Sequence, residues 1–332
     1  MTNIVVEGKA GIRVEVVLHS ISEAGKEIIT FLVDHPRIVH AEELKHRQFS
    51  YSAASSRAIP FDKMEKQLSG IPVQFGKNQS GMQAGGEHNE LINGMYTPEE
   101  WWKLAKLSAT NFSRGFAEAG YHKQISGRLT EPFQMIRVLV TATETENFYW
   151  LRDDKAADPT LAEQAKCMRE AHLKSKPQVL KAGEWHLPFV PTLRNYSTKK
   201  LMYCEEITNH HDNTPAYEYY TLGDAIKVSC ARCAATSFRN TDYDLAKSLQ
   251  VYDRLVNGDK IHAGALEHQA SPMKDSFSPG AGEWADNDPG DPESWEQGIS
   301  HVDRSGQFWS GNFAGWVQYR KLVPGECYKG SK

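Results

Sequence analysis

The run Met135-Ile136-Arg137-Val138-Leu139-Val140-Thr141-Ala142-Thr143 constrains the fold more than any other stretch of this chain. Apolar and β-branched residues fill it and Arg137 is its one charge, so it reads as a buried strand. Two shorter strands are read near the amino terminus, around Ile4-Val5-Val6 and Val14-Glu15-Val16-Val17-Leu18, with Gly8 and Gly11 between them. Residues 22–33 put Ile28, Phe31 and Leu32 at helical spacing and are read as a helix ended by His35-Pro36. Residues 41–47 are read as a short helix leading into a serine-rich loop.

Later helices carry clearer start signals. Thr97-Pro98-Glu99-Glu100 supplies an N-cap, a proline at the first helical position and an acidic first turn. Trp101, Leu104, Leu107, Phe112 and Phe116 would be its apolar positions, and Gly120 its end. Asp158-Pro159 starts another helix in the same way, and residues 144–152 and 244–257 also read as helical. Residues 226–234 read as a strand that would bury Cys230 and Cys233. Those two form a lone C-x-x-C, whereas zinc would want a second pair and a redox motif a thioredoxin-like context. Residues 81–86 read as a mobile glycine-rich loop without G-x-G-x-x-G spacing, and residues 271–306 as a long exposed loop.

Bulk properties narrow the function classes. With 332 residues, 40% hydrophobic and 24% charged, the chain reads as an ordinary globular protein with room for one large domain or two small ones. A formal charge of −4, from 38 basic against 42 acidic residues, offers no excess to attract a nucleic-acid polymer, so any anion site must be local. No run approaches the ~20 apolar residues of a membrane span, and Met1-Thr2-Asn3-Ile4 opens no secretion signal. A reducing cytoplasm without disulfides is the expectation for the five cysteines.

Residues 46–57, His46-Arg47-Gln48-Phe49-Ser50-Tyr51-Ser52-Ala53-Ala54-Ser55-Ser56-Arg57, are the candidate site. Two arginines, a histidine and four serines match the fork geometry and short hydrogen bonds of phosphate recognition. Composition alone fits a polar surface loop equally well. The pattern resembles the signature of the flavin-dependent thymidylate synthases (ThyX), R-H-R-x-x-S-x-N-E-x-S-x-R, in register over Lys45, His46, Arg47, Ser50, Ser55 and Arg57. Lys45, Ser52 and Ala53 stand where that family has Arg, Asn and Glu. The surrounding residues are similar to a divergent branch associated with bacteriophages.

Three further segments carry the resemblance. Gly127-Arg128 looks like the family's nucleotide-holding arginine, and Asn147-Phe148-Tyr149-Trp150-Leu151-Arg152 like its N-F-x-x-L-R. Residues 229–238 and Ala265-Leu266-Glu267-His268 resemble a ThyX amino-terminal half, here placed after the signature, which implies a permuted or rearranged chain. Without their flanking matches, Arg152 would be a solvated arginine at a helix end and His268 a surface or capping histidine.

The resemblance implies an α/β (α+β) fold with a mostly antiparallel sheet flanked by helices. It implies a single catalytic domain over 1–332, with a signature half at 1–172 and a second half at 226–324, assembled as a homotetramer in the cytoplasm. The implied reaction is reductive methylation of dUMP to dTMP by an enzyme using FAD, NADPH and methylenetetrahydrofolate, with no metal. Ser55, Arg57, Arg128 and Arg152 would hold the nucleotide, Arg152 also polarising the pyrimidine. Lys45, His46, Arg47, Ser50 and Asn147 would hold FAD, and His268 would lie near flavin and folate. Ala156 replaces a usual flavin-pocket histidine. That loss and Ala53 keep open dUMP hydroxymethylation, a dCMP-acting enzyme, or a non-catalytic nucleotide-binding relative.

Overall fold

The computed structural model describes residues 4–55, 59–208, 214–236, 243–258, 260–274, 277–278, 283–284 and 287–327. A six-stranded sheet organises the chain. Its strands are β1 (Val5–Glu7), β2 (Arg13–Ser22), β3 (Glu27–Pro36), β4 (Ser50–Ala53), β5 (Met135–Ala142) and β6 (Gln178–Leu180). The order is β1-β2-β3-β5-β4, every neighbour antiparallel, with β6 joining β2 in parallel. The fold is therefore α+β with a mostly antiparallel central sheet.

Strand alternation divides the apolar side chains between two covered faces. One face carries Ile29, Phe31 and Val33 of β3 and Ile136, Val138 and Val140 of β5. It packs against Phe148, Ala165, Met168 and Ala171 from the two helices that follow β5. The other face carries Ile28, Leu32 and Leu139, which pack against residues of the carboxy-terminal third. Cover on both sides explains a correction: residues 22–33, read as a helix, fold into the end of β2, a turn and most of β3. From Ile28 to Val33 every residue of β3 is buried, so no alternation shows in its sequence.

Between β3 and β5 lie α1 (His40–Glu43), α2 (Phe61–Glu65), α3 (Pro98–Glu118) and α4 (Lys123–Ser126). The capping box of α3 forms as the sequence requires: Glu100 N donates to Thr97 Oγ1 and Thr97 N to Glu100 Oε2. Gly120, at φ +84°, ends it. Its apolar positions are a second correction. Trp101, Leu104, Leu107, Phe112 and Phe116 are exposed rather than core, while Trp102 is half-buried against Phe133 with its indole donating to Gly70 O.

After β5 come α5 (Glu146–Arg152) and α6 (Pro159–Lys174), the latter capped by Asp158. Past β6, the strands β7 (Thr192–Arg194), β8 (Leu201–Thr208) and β9 (Pro215–Tyr220) form a small antiparallel sheet. Helices α7 (Leu222–Ala235) and α8 (Leu245–Val256) follow. Residues 226–234, read as a strand, lie within α7. There Ala225, Val228, Cys230, Ala231 and Cys233 are all buried, which erases the polar stripe that marks a surface helix. Burial pushes both thiols of the C-x-x-C up.

The segment 271–306 is not one exposed loop. It begins within buried β10 (Ala270–Pro272) and contains β11 (Phe277–Ser278), β12 (Glu283–Trp284) and β13 (His301–Val302). Strands β14 (Phe308–Ser310), β15 (Phe313–Ala314) and β16 (Trp316–Gln318) are the last among the described residues, with β16 pairing β10.

A polar thread is buried between the sheet and this carboxy-terminal layer. His186 meets Ser20 Oγ at 2.9 Å through Nδ1 and Thr30 Oγ1 at 2.9 Å through Nε2. Thr30 meets Thr141 at 2.7 Å, Thr141 meets His268 Nδ1 at 2.8 Å, and His268 Nε2 meets Ser52 Oγ at 2.9 Å. Among the described residues no helix is long and apolar enough to cross a membrane.

Candidate functional site

The short helix α1 and the turn after it aim the basic signature residues. Glu43 is buried beneath them. Its carboxylate accepts from His35 Nε2 at 3.1 Å, His40 Nδ1 at 3.0 Å and Gln164 Nε2 at 2.6 Å. Burial opposes its charge, but the His35 charge and the hydrogen bonds from His35 and His40 overcome it and hold the carboxyl at about 2. The Tyr51 hydroxyl donates to the carbonyl oxygens of Glu43 and His46 at 2.8 and 3.3 Å, tying the turn to β4.

His46 then lies edge-on to Phe148 of α5, ring centroids 4.8 Å apart. Arg152, at the end of that helix, donates through Nε to His46 Nε2 at 2.9 Å. Burial, and next the Arg152 charge, lower the His46 pKa against an opposing pull from Glu43. Because Arg152 Nε can only donate, His46 Nε2 is the acceptor, and the neutral ring fixes the guanidinium plane. The terminal nitrogens of Arg152 make no hydrogen bond to another described residue.

Arg152 and Lys45 line a cavity of about 700 Å³, shared with Glu42 and Asp158. Residues 79–84 also line it, so the glycine-rich loop of the sequence bounds the site, contributing Gln79, Ser80 and Gln83. Asp158 is committed to capping α6, accepting from Thr160 N and Leu161 N. Ala156 is also on the wall. Two donors with freedom to reach a ligand, Lys45 and Arg152, in a cavity of this size suit an anionic small molecule.

The other sequence candidates lie elsewhere. Ser50 is buried on the opposite face of the sheet, its hydroxyl within 3.3 Å of Asn312 and Gln318 side-chain atoms. His268 is fully buried in the polar thread with both ring nitrogens engaged, and desolvation holds it at about 3. It is an interior histidine, because its hydroxyl partners come from β4 and β5 rather than from a cavity wall. Arg47, Asn147 and Arg128 are exposed and do not line this cavity. Ser55 is half-buried at the end of a described segment, and Arg57 lies outside the described residues.

No protein family matches the chain's sequence, and no curated protein matches it. Among solved structures, the chain is similar to a UMP/dUMP methylase PolB from Streptomyces cacaoi, crystallised with 5-Br UMP. The identity is 15%, the match covers 51% of this chain and 92% of that one, and the TM-score is 0.39, too low to carry any residue's role across.

Proposed function

We propose that this chain is an enzyme acting on a pyrimidine nucleotide bound at the Lys45–Arg152 cavity. The observation that carries the reading is the Arg152–His46 bond on the cavity wall: it joins, at 2.9 Å, two residues 106 apart in sequence that the signature resemblance had marked separately. A guanidinium held in one plane by a neutral acceptor is preorganised to donate to a pyrimidine carbonyl and to stabilise negative charge developing there. Lys45 supplies a second cation for the phosphate.

The finer reading is reductive methylation of dUMP to dTMP, with methylenetetrahydrofolate as carbon donor and FAD, reduced by NADPH, as the redox group. The flavin half of the residue set does not converge within one chain. Lys45 lines the cavity with His46 behind Arg152, whereas Ser50 is across the sheet and Arg47 and Asn147 face solvent. The homotetramer implied by the resemblance would place sites between subunits, and the exposed apolar side chains of α3 favour assembly. A second reading, hydroxymethylation of dUMP or action on dCMP, is favoured by Ala156. It puts a methyl group on the wall where the resemblance expects an imidazole.

Calorimetric titration with dUMP and dCMP tests the proposal, alongside the visible spectrum before and after added FAD. We expect one nucleotide to bind and Arg152→Ala to weaken it by roughly tenfold or more, as loss of a charge-assisted contact implies. Bands near ~375 and ~450 nm on adding FAD would support the flavoenzyme form, and product mass would separate methyl from hydroxymethyl transfer. Failure to bind either nucleotide, or unchanged affinity in Arg152→Ala, would remove the cavity from the function.

A further inference from the structure

A second constellation lies at the far end of α6. His19 on β2 and Glu27 on β3 are diagonal neighbours across the hairpin, since Ile21 faces Glu27 and His19 faces Ile29. His172, in the last turn of α6, sits over them, its ring edge-on to His19 with centroids 5.0 Å apart. His172 Nε2 is 3.3 Å from Glu27 Oε2 and His19 Nε2 is 3.9 Å from the same oxygen. The three donor atoms all lie within 4.8 Å of one another.

Each imidazole is oriented from its other nitrogen. His19 Nδ1 meets Ser175 Oγ at 3.1 Å and His172 Nδ1 meets Tyr149 OH at 3.2 Å. Such outer hydrogen bonds fix the ring orientation and aim Nε2 inward, as around metal-binding histidines. The His19 side chain is only 3% exposed, yet its Nε2 has no hydrogen-bond partner. A buried ring nitrogen without a partner calls for an explanation, and this one points at a carboxylate and a second imidazole.

The three donors open onto a cleft of about 440 Å³ that also includes Glu146, Tyr149 and Arg169. Arg169 is paired with Asp153 at 3.1 Å. Cation choice follows from the donors. Two imidazoles and one carboxylate suit a borderline first-row ion, whereas calcium and magnesium prefer all-oxygen shells. Ligand atoms ~2.1 Å from zinc in a tetrahedral arrangement lie about 3.4 Å apart, against 3.3 and 3.9 Å from the carboxylate oxygen to the two imidazoles here. His35, His40 and Glu43 bring similar atoms together. There the carboxylate is already shared by three donors, two of the three side chains are all but inaccessible, and none of them lines any of the cavities described.

We propose that His19, His172 and Glu27 bind a divalent transition metal of the zinc class, with an open coordination position facing the cleft. Three protein donors and one free position are the pattern of zinc sites that hold a water or a ligand. The site is separate from the nucleotide cavity. His172 lies 14 residues beyond Asp158 on the same helix, about 20 Å at 1.5 Å per residue.

The test uses the full-length chain, stripped with chelator, dialysed against micromolar Zn²⁺ and analysed for bound metal, with Co²⁺ absorption reporting the ligand field. One ion per chain is expected, lost by roughly 100-fold or more in affinity in Glu27→Gln and His172→Ala, weakened about tenfold in Ser175→Ala and kept in His40→Ala. If His172→Ala fails to fold, Glu27→Gln decides, because that side chain is at the surface. No bound ion in the parent chain, or undiminished affinity in Glu27→Gln, overturns the site. Loss of the ion in His40→Ala with retention in Glu27→Gln also overturns it.

Discussion

Two pairs of histidines lie on opposite faces of the same sheet, and they are held in opposite ways. His186 and His268 are closed in: each ring nitrogen meets a serine or threonine hydroxyl, and together they cross-link strands β2, β3, β5 and β4. His19 and His172 each turn Nδ1 to a hydroxyl, but beside the cleft His172 Nε2 meets only the half-exposed Glu27 carboxylate, at 3.3 Å, and His19 Nε2 has no partner. The comparison teaches that burial alone does not separate a structural histidine from a ligand. The separation comes from whether the protein itself satisfies both nitrogens. His268, singled out by its flanking sequence, belongs to the first kind, and His19, which no motif marked, to the second.

Acid should strain this arrangement most. Burial holds His268 at about 3 and His19 at about 4, against an ordinary 6.5, and His186 well below that value. These bases titrate lower in the folded chain, so the unfolded chain binds protons first. Their stabilisation is complete above pH 6.5 and is lost as pH falls towards 4 and 3. Each contributes about 1.4 kcal/mol per pH unit within its window. Thermal melts should be level above pH 7 and fall steeply from 6.5 to 4. A flat profile there would contradict the closed pair.

Next in size is His268→Ala. It leaves the Thr141 and Ser52 hydroxyls short of a partner and opens a void, at a cost of about 3 kcal/mol by urea unfolding. A loss below about 1 kcal/mol would show that the thread does not join the layers. Smallest is Glu27→Gln on the open pair, half-exposed and expected to change metal-free stability by less than about 0.5 kcal/mol. A large loss there would make the second pair structural as well, and the contrast would disappear.

Sequence legibility followed local chemistry. Thr97-Pro98-Glu99-Glu100 and Asp158-Pro159 announced α3 and α6 because caps and prolines act over a few residues. The run 135–143 announced β5. Ile28, Phe31 and Leu32 misled because β3 is buried on both faces, and any spacing can then be found among its apolar residues. α7 misled for the converse reason: a helix buried on nearly every side shows no period. Lys45, His46 and Arg152 were legible through their motifs. His19, Glu27 and His172 were not, because a hairpin diagonal and a helix end 145 residues from Glu27 meet only after the sheet has formed.

Helix α6 has a consequence for the charges at its two ends. Its first turn, at Asp158 and Pro159, borders the cavity of Lys45 and Arg152, and its last turn carries His172 and Lys174. Aligned peptide dipoles give such a helix roughly half a positive charge at its start and half a negative charge at its finish. One rod therefore presents its positive end, through the Asp158 cap, to the pocket proposed for an anion and its negative end to the cleft proposed for a cation. Reversing the polarity of either ligand would set it against the backbone itself.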